Sequence, residues 1–125
     1  MVTNDLTFQK REDLKAVYAR LISTQGINLN YVTRETLVDL LMNQPAPRFY
    51  LEPRTVEHLL MRYFKGQKTS NPSRTQDLAE AFRRVRERKP RAPMSDIWLE
   101  VSMQPAKSFY MSKRNIRDVI FNYKR

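Results

Sequence analysis

The segment Gln44-Pro45-Ala46-Pro47-Arg48-Phe49-Tyr50 decides the interpretation of this chain, because it returns sixty residues later as Gln104-Pro105-Ala106-Lys107-Ser108-Phe109-Tyr110. The match continues through Arg125, and 7 of the 22 aligned positions are identical. Unrelated segments of ordinary composition would share about one or two residues over this length. The sequence therefore predicts an internal duplication.

A weaker match lies upstream of this segment, at a spacing of 64 residues. The residues that correspond are Asp13, Leu14, Tyr18, Arg20 and Leu21 in the first copy, and Asp77, Leu78, Phe82, Arg84 and Val85 in the second. The change of spacing gives the first copy four more residues in its first loop.

Each copy has the apolar spacing of three helices. In the first copy, Leu14, Val17, Tyr18 and Leu21 follow the i, i+3, i+4, i+7 pattern of one helix face. The predicted helices span about Phe8–Gln25, Arg34–Asn43 and Pro53–Lys65, then Thr75–Arg88, Asp96–Met103 and Lys113–Lys124. The predicted fold is all-α, with two tandem three-helix repeat units and six helices in total.

Helix-ending and helix-starting residues set the predicted boundaries. Gly26 and Gly66 suit the position just after a helix, and Pro53 suits the first helical position. The side chains expected to cap helix starts are those of Thr33, Ser95 and Ser112. We predict repeat copy one over residues 1–66, a polar linker over 67–74 and repeat copy two over 75–125.

Composition argues against several classes of protein. The chain has no cysteine, which excludes disulfides and thiolate metal sites, and only two glycines, which argues against a phosphate-cradling loop. No apolar run approaches the roughly 20 residues that span a bilayer, and the N-terminus lacks the apolar core of a signal peptide. The expected location is the cytoplasm, in association with the nucleoid, or a virus particle such as that of a phage.

Catalysis is not expected. His58 is the single histidine, and the second copy has Asp118 in its place, so the repeat does not require an imidazole. No motif of a known catalytic or metal site is present. We therefore predict a protein that is not an enzyme, with no cofactor, no metal and no small-molecule substrate.

The chain is strongly basic, with 23 Lys and Arg against 13 Asp and Glu and a formal charge of +10. Such a surplus speaks to partners rather than to fold, and its commonest partner is a polyanion. Residues 1–65 carry a net charge of +2 and residues 66–125 a net charge of +8. This asymmetry predicts that the second copy binds a polyanion more strongly than the first.

Phe49 and Phe109 have two interpretations. Proline in the repeated segment favours extended backbone, and the two rings then precede the third helix of each copy directly. The favoured interpretation is that they close a small three-helix core, with Trp98 as a further core residue. The alternative is a stacking platform for single-stranded nucleic acid, with Arg48 and Lys107 beside it.

A run of cations ends the first helix of the second copy. Its members are Arg83, Arg84, Arg86, Arg88, Lys89 and Arg91. Cations are favoured at the carboxyl end of a helix, which accounts for two or three of them but not for six. We predict that the run contacts nucleic-acid phosphates; a solvated helix end or a nuclear localisation signal would have a similar composition.

The third helix of each copy has a polar face beside its core face. The side chains expected on these faces to contact nucleic acid are Arg54, Thr55, His58 and Arg62, and Lys113, Arg114 and Asn115. In helix order and polarity each copy resembles the helix-turn-helix superfamily of DNA-binding domains. That resemblance implies that the third helix meets base edges, where Arg suits guanine and Asn suits adenine. The connection at Gln44–Glu52 has nine residues, however, where that superfamily usually has three or four.

Two hypotheses for function follow. The first is a nucleic-acid-binding protein, with duplex DNA as the favoured target, of the kind that regulates transcription. The second is a helical adaptor or virion component that binds an acidic protein partner. The first predicts a continuous basic face, whereas the second predicts an exposed apolar patch. A membrane partner is not expected, because no predicted helix combines a cationic face with a free apolar face.

Overall fold

The computed structural model describes the backbone of residues 2–121, with side chains from Leu6 onward. Over this range the chain forms six helices and no strand, which confirms the all-α prediction. The helices are α1 (Val2–Gln25), α2 (Arg34–Met42), α3 (Pro53–Phe64), α4 (Pro72–Arg88), α5 (Met94–Ser102) and α6 (Lys113–Phe121). The end predicted for the last helix, near Lys124, lies outside the described residues.

Two of the predicted helix starts are confirmed by their caps. The Thr33 hydroxyl accepts a hydrogen bond from the Thr36 backbone N–H at 3.1 Å before α2. The Ser112 hydroxyl accepts one from the Asn115 backbone N–H at 3.1 Å before α6. Each cap satisfies a backbone donor that the first turn of a helix leaves without a partner.

Three other predicted starts are wrong. Ser95 does not cap α5, because Pro93 stands in extended conformation just before the helix and its carbonyl accepts from the Asp96 and Ile97 backbone N–H groups. α4 begins at Pro72 rather than Thr75, since the Asn71 side chain caps it. Residues 72–74, which we predicted to be linker, are therefore the first turn of a helix. α1 also begins earlier than the predicted Phe8, at Val2.

The end of α3 shows why a glycine follows it. Gly66 has φ of +76°, a conformation that side-chain-bearing residues rarely adopt. In that conformation its backbone N–H reaches the Tyr63 carbonyl at 3.0 Å, and the Gln67 N–H reaches the Arg62 carbonyl at 2.9 Å. This pair of bonds is the Schellman motif, which turns the chain out of the helix.

The helices form two compact units that do not coincide with the two sequence copies. The terminal unit contains residues 1–46 and 107–125, and therefore α1, α2 and α6. The central unit contains residues 47–106, and therefore α3, α4 and α5. α6 packs against α1 and α2, and α3 packs against α4 and α5. The boundaries predicted at residues 66 and 74 follow the sequence match, whereas packing joins α3 to α4 and α5, and α6 to α1 and α2.

The cores of the two units are built from the predicted apolar positions. In the terminal unit the buried side chains are Leu14, Val17, Leu21, Leu37, Val38, Leu41, Ala46, Phe109 and Ile116. In the central unit they include Phe49, Val56, Leu60, Leu78, Val85, Ile97, Trp98 and Val101. Phe49 is 2% exposed and Phe109 is 3% exposed, which confirms them as core residues. A stacking platform on these two rings is therefore wrong, because their faces are not accessible.

Candidate nucleic-acid interface

All thirteen side chains predicted to contact nucleic acid are exposed. Ten of them belong to the central unit, on α3, on α4 and in the loop after α4: Arg54, Thr55, His58, Arg62, Arg83, Arg84, Arg86, Arg88, Lys89 and Arg91. The other three, Lys113, Arg114 and Asn115, form the first turn of α6 in the terminal unit. The predicted set is thus concentrated on one of the two units.

The predicted residues of α3 form a stripe along the helix. Arg54, His58 and Arg62 are spaced by four residues, which places them above one another on the same face. Arg54, Thr55 and His58 line an open depression of about 450 Å³, which Glu57 and Met61 also line. The Arg62 guanidinium donates to the Lys68 carbonyl at 2.9 Å, so this side chain helps to hold the loop after α3.

One carboxylate of α5 offsets part of the charge of the basic run, at Arg88 and Lys89. Glu100 lies 2.6 Å from the Lys89 ammonium and 3.2 Å from the Arg88 guanidinium. The hydrogen bond from Lys89 is the main cause that lowers the pKa of Glu100, and the charges of Lys89 and Arg88 act in the same direction against its desolvation. Glu100 is therefore ionised at neutral pH and offsets part of the charge of its two partners.

The remaining arginines of the run have no acidic partner in the part of the chain that the structure describes. Arg86 donates to the thioether sulfur of Met94 at 3.7 Å, which leaves its charge uncompensated. Arg83, Arg84 and Arg91 form no ion pair with any described residue. Arg83 and Arg84 are exposed at consecutive positions of α4. These positions are where the run can accept an external anion.

The first turn of α6 is different, because α2 supplies carboxylates to it. The Lys113 ammonium lies 3.0 Å from the Asp39 carboxylate, and the Arg117 guanidinium lies 2.7 Å from that of Glu35. Arg114 has no such partner among the described residues. Lys113 and Asp39 are both more than half exposed, so their attraction is weak in water and an external phosphate can compete for Lys113.

Grouping the residues by compact unit changes how the net charge is divided. The terminal unit has 11 basic and 6 acidic residues, a net of +5, and the central unit has 12 and 7, also a net of +5. The contrast of +2 and +8 between the sequence copies therefore disappears when the residues are grouped by compact unit. The surplus that led us to expect stronger binding by the second copy is shared equally between the two units.

Sequence reasoning missed an exposed aromatic side chain beside the basic run. Phe64, the last residue of α3, is 52% exposed, and its ring centroid lies 5.5 Å from that of Phe82 on α4. Phe64, Phe82, Arg83 and Arg86 are among the residues that line a cavity of about 260 Å³. The predicted alignment carried a signal for it, since it matches Phe64 with the polar Lys124.

No protein-family model, curated protein or solved structure matches the chain. Within the described residues, no group of three or more His, Cys, Asp or Glu side chains is placed to hold a metal ion. None of the described helices has the length and apolar character needed to cross a membrane. The functional interpretation therefore rests on the chemistry of the chain's own surface.

Proposed function

We propose that the chain is a non-enzymatic nucleic-acid-binding protein, with duplex DNA as its favoured target. The observation that carries this proposal is the exposed basic surface of α4, where Arg83 and Arg84 have no acidic partner among the described residues. Neutralised phosphates release condensed counterions, so such side chains supply affinity that does not depend on sequence. Arg91, in the loop that follows α4, is exposed as well and forms no ion pair with a described residue.

Sequence preference would come from the third helices. Arg54 and His58 on α3 are exposed, and Arg54 forms no ion pair with a described residue that would have to be displaced. On α6, Arg114 and Asn115 occupy the first turn and are exposed in the same way. Arg and Asn are the side chains best suited to the major-groove edges of guanine and adenine.

The architecture that supports this proposal is a duplication with exchanged third helices. Each compact unit would combine the first two helices of one copy with the third helix of the other. In favour of it, the matched pairs Phe49 with Phe109 and Val56 with Ile116 are buried in both units. In each unit the third helix would then occupy the place of the recognition helix in a helix-turn-helix domain. Along the chain, however, it would follow the second helix of the other unit and not that of its own.

The decisive experiment removes two of the arginines of α4 that have no acidic partner among the described residues, Arg83 and Arg84. We expect the Arg83→Gln/Arg84→Gln double variant to bind random-sequence duplex DNA more weakly at low salt. The slope of log affinity against log salt should become shallower by up to about 1.8, since each lost phosphate contact accounts for about 0.9 in B-DNA. Fluorescence anisotropy over a salt series would measure both quantities.

A matched control makes the same charge change elsewhere. Arg11 and Arg20 are exposed on α1 and form no ion pair with a described residue, so Arg11→Gln/Arg20→Gln removes two positive charges from the terminal unit. If the α4 surface holds the phosphates, this control keeps most of the parent's salt slope. Equal weakening by both double variants would show that only net charge matters. An absence of salt-dependent binding by the parent would contradict the proposal.

The second candidate, an adaptor for an acidic protein partner, is favoured by one observation on α5. Leu99 in α5 and Met103, the residue that caps the end of this helix, are each 52% exposed and lie four residues apart, which places them on the same side of the helix end. Paired apolar side chains of this kind are common in protein interfaces. This candidate replaces the first if duplex DNA, single-stranded DNA and RNA all fail to bind at low salt.

A further inference from the structure

A small cavity in the central unit combines an exposed aromatic ring with two arginines. It lies between the end of α3 and the middle of α4, with Phe64 and Phe82 on its apolar side. Arg83 and Arg86 lie at the same cavity, together with the single carboxylate of Glu87. The local charge is therefore positive beside an aromatic surface.

The aromatic side of the cavity is backed by further rings. Phe82 stacks on Trp98 with centroids 5.4 Å apart and ring planes at 21°. Trp98 is only 7% exposed, so the half-buried ring of Phe82 is packed against the core. The rings of Phe64 and Phe82 are tilted by 56° with centroids 5.5 Å apart, while half of the surface of Phe64 remains exposed. A flat ligand that stacks on Phe64 would thus bind to a ring already held by its neighbours, so binding would cost little side-chain entropy.

From this geometry we infer that the cavity at Phe64, Phe82, Arg83 and Arg86 binds an unpaired nucleobase of a single-stranded segment of nucleic acid. The base stacks on Phe64, and the two guanidinium groups contact the phosphates on either side of it. This inference rests on the proposed function, which is nucleic-acid binding. It adds a site for single strands, since a paired base is stacked within its duplex and cannot present its face to a protein ring.

The size and charge of the cavity select this occupant. Its volume of about 260 Å³ lies just below the roughly 300–1,000 Å³ of typical ligand pockets, which suits one ring system rather than a larger molecule. An aromatic side chain of a protein would fit by size. A nucleotide, however, carries the negative charge next to its ring, where Arg83 and Arg86 lie. Aromatic stacking beside a cationic groove is the usual means of holding single strands.

The first experiment compares the parent and a Phe64→Ala variant on a short oligothymidine strand. We expect the variant to bind about tenfold more weakly, within the range for loss of one base–aromatic stack. Its salt slope should stay that of the parent, because no phosphate contact is removed. The fluorescence of Trp98, the single tryptophan, should change when the strand binds the parent and change less with the variant.

The second experiment removes the base instead of the ring. The same strand with abasic sites should bind the parent more weakly, and Phe64→Ala should weaken it no further, because the two changes delete one contact. Phe64→Tyr keeps a ring face and should bind like the parent, whereas Phe64→Leu keeps apolar volume without the ring and should bind like Phe64→Ala. Tyr31→Ala, which removes an aromatic side chain that is 85% exposed in the terminal unit, is the control and should have no effect.

Several results would overturn the inference. Equal binding of intact and abasic strands by the parent would do so, as would parent-like binding by Phe64→Leu. A response of Trp98 to a glutamate-rich peptide containing phenylalanine, with none to oligothymidine, would assign the cavity to a protein partner. Salt-dependent duplex binding with no effect of Phe64→Ala on single strands would remove this inference and leave the proposed function intact. Failure to bind either form of DNA would remove both.

Discussion

The helices α3 and α6 begin from matching sequences but use their cations differently. In α6, Lys113 and Arg117 form ion pairs with Asp39 and Glu35 of α2. The corresponding residues of α3 are Pro53 and Glu57, which cannot form such pairs. The cations of α6 nearest to α2 therefore join two helices of one unit, while Arg54 on α3 remains without an acidic partner among the described residues.

The difference teaches which positions of the third helix are tied to packing and which remain open. Positions that face the second helix of the same compact unit can be used for packing. At these positions the residues of α3 and α6 differ. Arg54 and Arg114 occupy the matching position one residue into each helix and are exposed in both. A matched, exposed arginine without an ion pair is a stronger candidate for ligand contact than a cation counted only by its charge.

The variants with the largest expected effect test which helices pack against α3 and which pack against α6. Phe49→Ala and Phe109→Ala should each lower the free energy of unfolding by about 3–5 kcal/mol, as for other buried aromatic side chains. Because Phe49 belongs to the central unit, its loss should expose the amides of α4 and α5, and loss of Phe109 should expose those of α1 and α2. Hydrogen–deuterium exchange with mass spectrometry would resolve the two patterns.

The control for this test is Phe8→Ala on α1, because Phe8 is 66% exposed and its removal should leave the unfolding midpoint unchanged. The opposite exchange pattern, with Phe49→Ala exposing α1 and α2, would mean that the third helix packs within its own sequence copy. That outcome would remove the exchange of helices and restore the repeat boundaries as the boundaries of folding units.

Much of the fold could be predicted from sequence because its signals are local. Apolar spacing located the helices, and the caps at Thr33 and Ser112 follow from side chains within one turn. The packing partners of α3 and α6 could not be predicted, since the matching segments of sequence have equivalent apolar patterns and periodicity is the same for either pairing. Only the long connection with prolines at Pro45 and Pro47, which favours extended backbone, hinted that α3 leaves α1 and α2.

The sequence could predict which residues of the candidate site are exposed, but not which acidic residues pair with them. Exposure of the cations follows from their charge, whereas the pairing of Arg88 with Glu100 depends on how α4 packs against α5. One detail of the repeated segment was also beyond sequence reasoning. Tyr110 has φ of +55°, in a region unusual for a residue with a side chain, and its backbone N–H donates to the Ser108 hydroxyl. Its counterpart Tyr50 does not share this conformation.

A second prediction concerns sequence preference by the two helices. Arg54→Ala and Arg114→Ala should each reduce discrimination at one base position by about 1–3 kcal/mol, the usual value of a bidentate contact with guanine. If each helix reads its own position, the double variant should combine the two losses additively. Sequencing of duplexes selected from a random library would measure these preferences.

Lys113→Ala is the matched control for Arg114→Ala, since it removes the neighbouring cation. Lys113 is paired with Asp39, so its loss should weaken all duplexes slightly and alike. A change of base preference on Lys113→Ala, with none on Arg114→Ala, would reverse the assignment of roles on α6 and would weaken the comparison with Arg54.

The smallest expected effect comes from releasing cations that are now neutralised. Glu100→Gln should strengthen duplex binding modestly and steepen the salt slope, because Arg88 and Lys89 become available to phosphates. Glu35→Gln should do less, since it releases only Arg117. Equal slopes for the parent and Glu100→Gln would indicate that phosphates already displace the carboxylate. Salt series at neutral pH would compare the three proteins.

The pH dependence of this effect follows from the ionisation of Glu100. Its pKa is lowered from the usual 4.5, chiefly by the hydrogen bond from Lys89, so the carboxylate stays ionised well below neutral pH. A carboxyl group whose pKa is lowered on folding stabilises the folded state at pH values above the pKa that it has in the unfolded chain. That contribution is lost as the pH falls through the lowered pKa of the folded state. The parent and Glu100→Gln should therefore differ in duplex affinity at pH 7 and at pH values somewhat above 4.5, and they should converge only in stronger acid. A difference that closes near pH 6 would exclude Glu100 as its cause, because no carboxyl group with a lowered pKa titrates there.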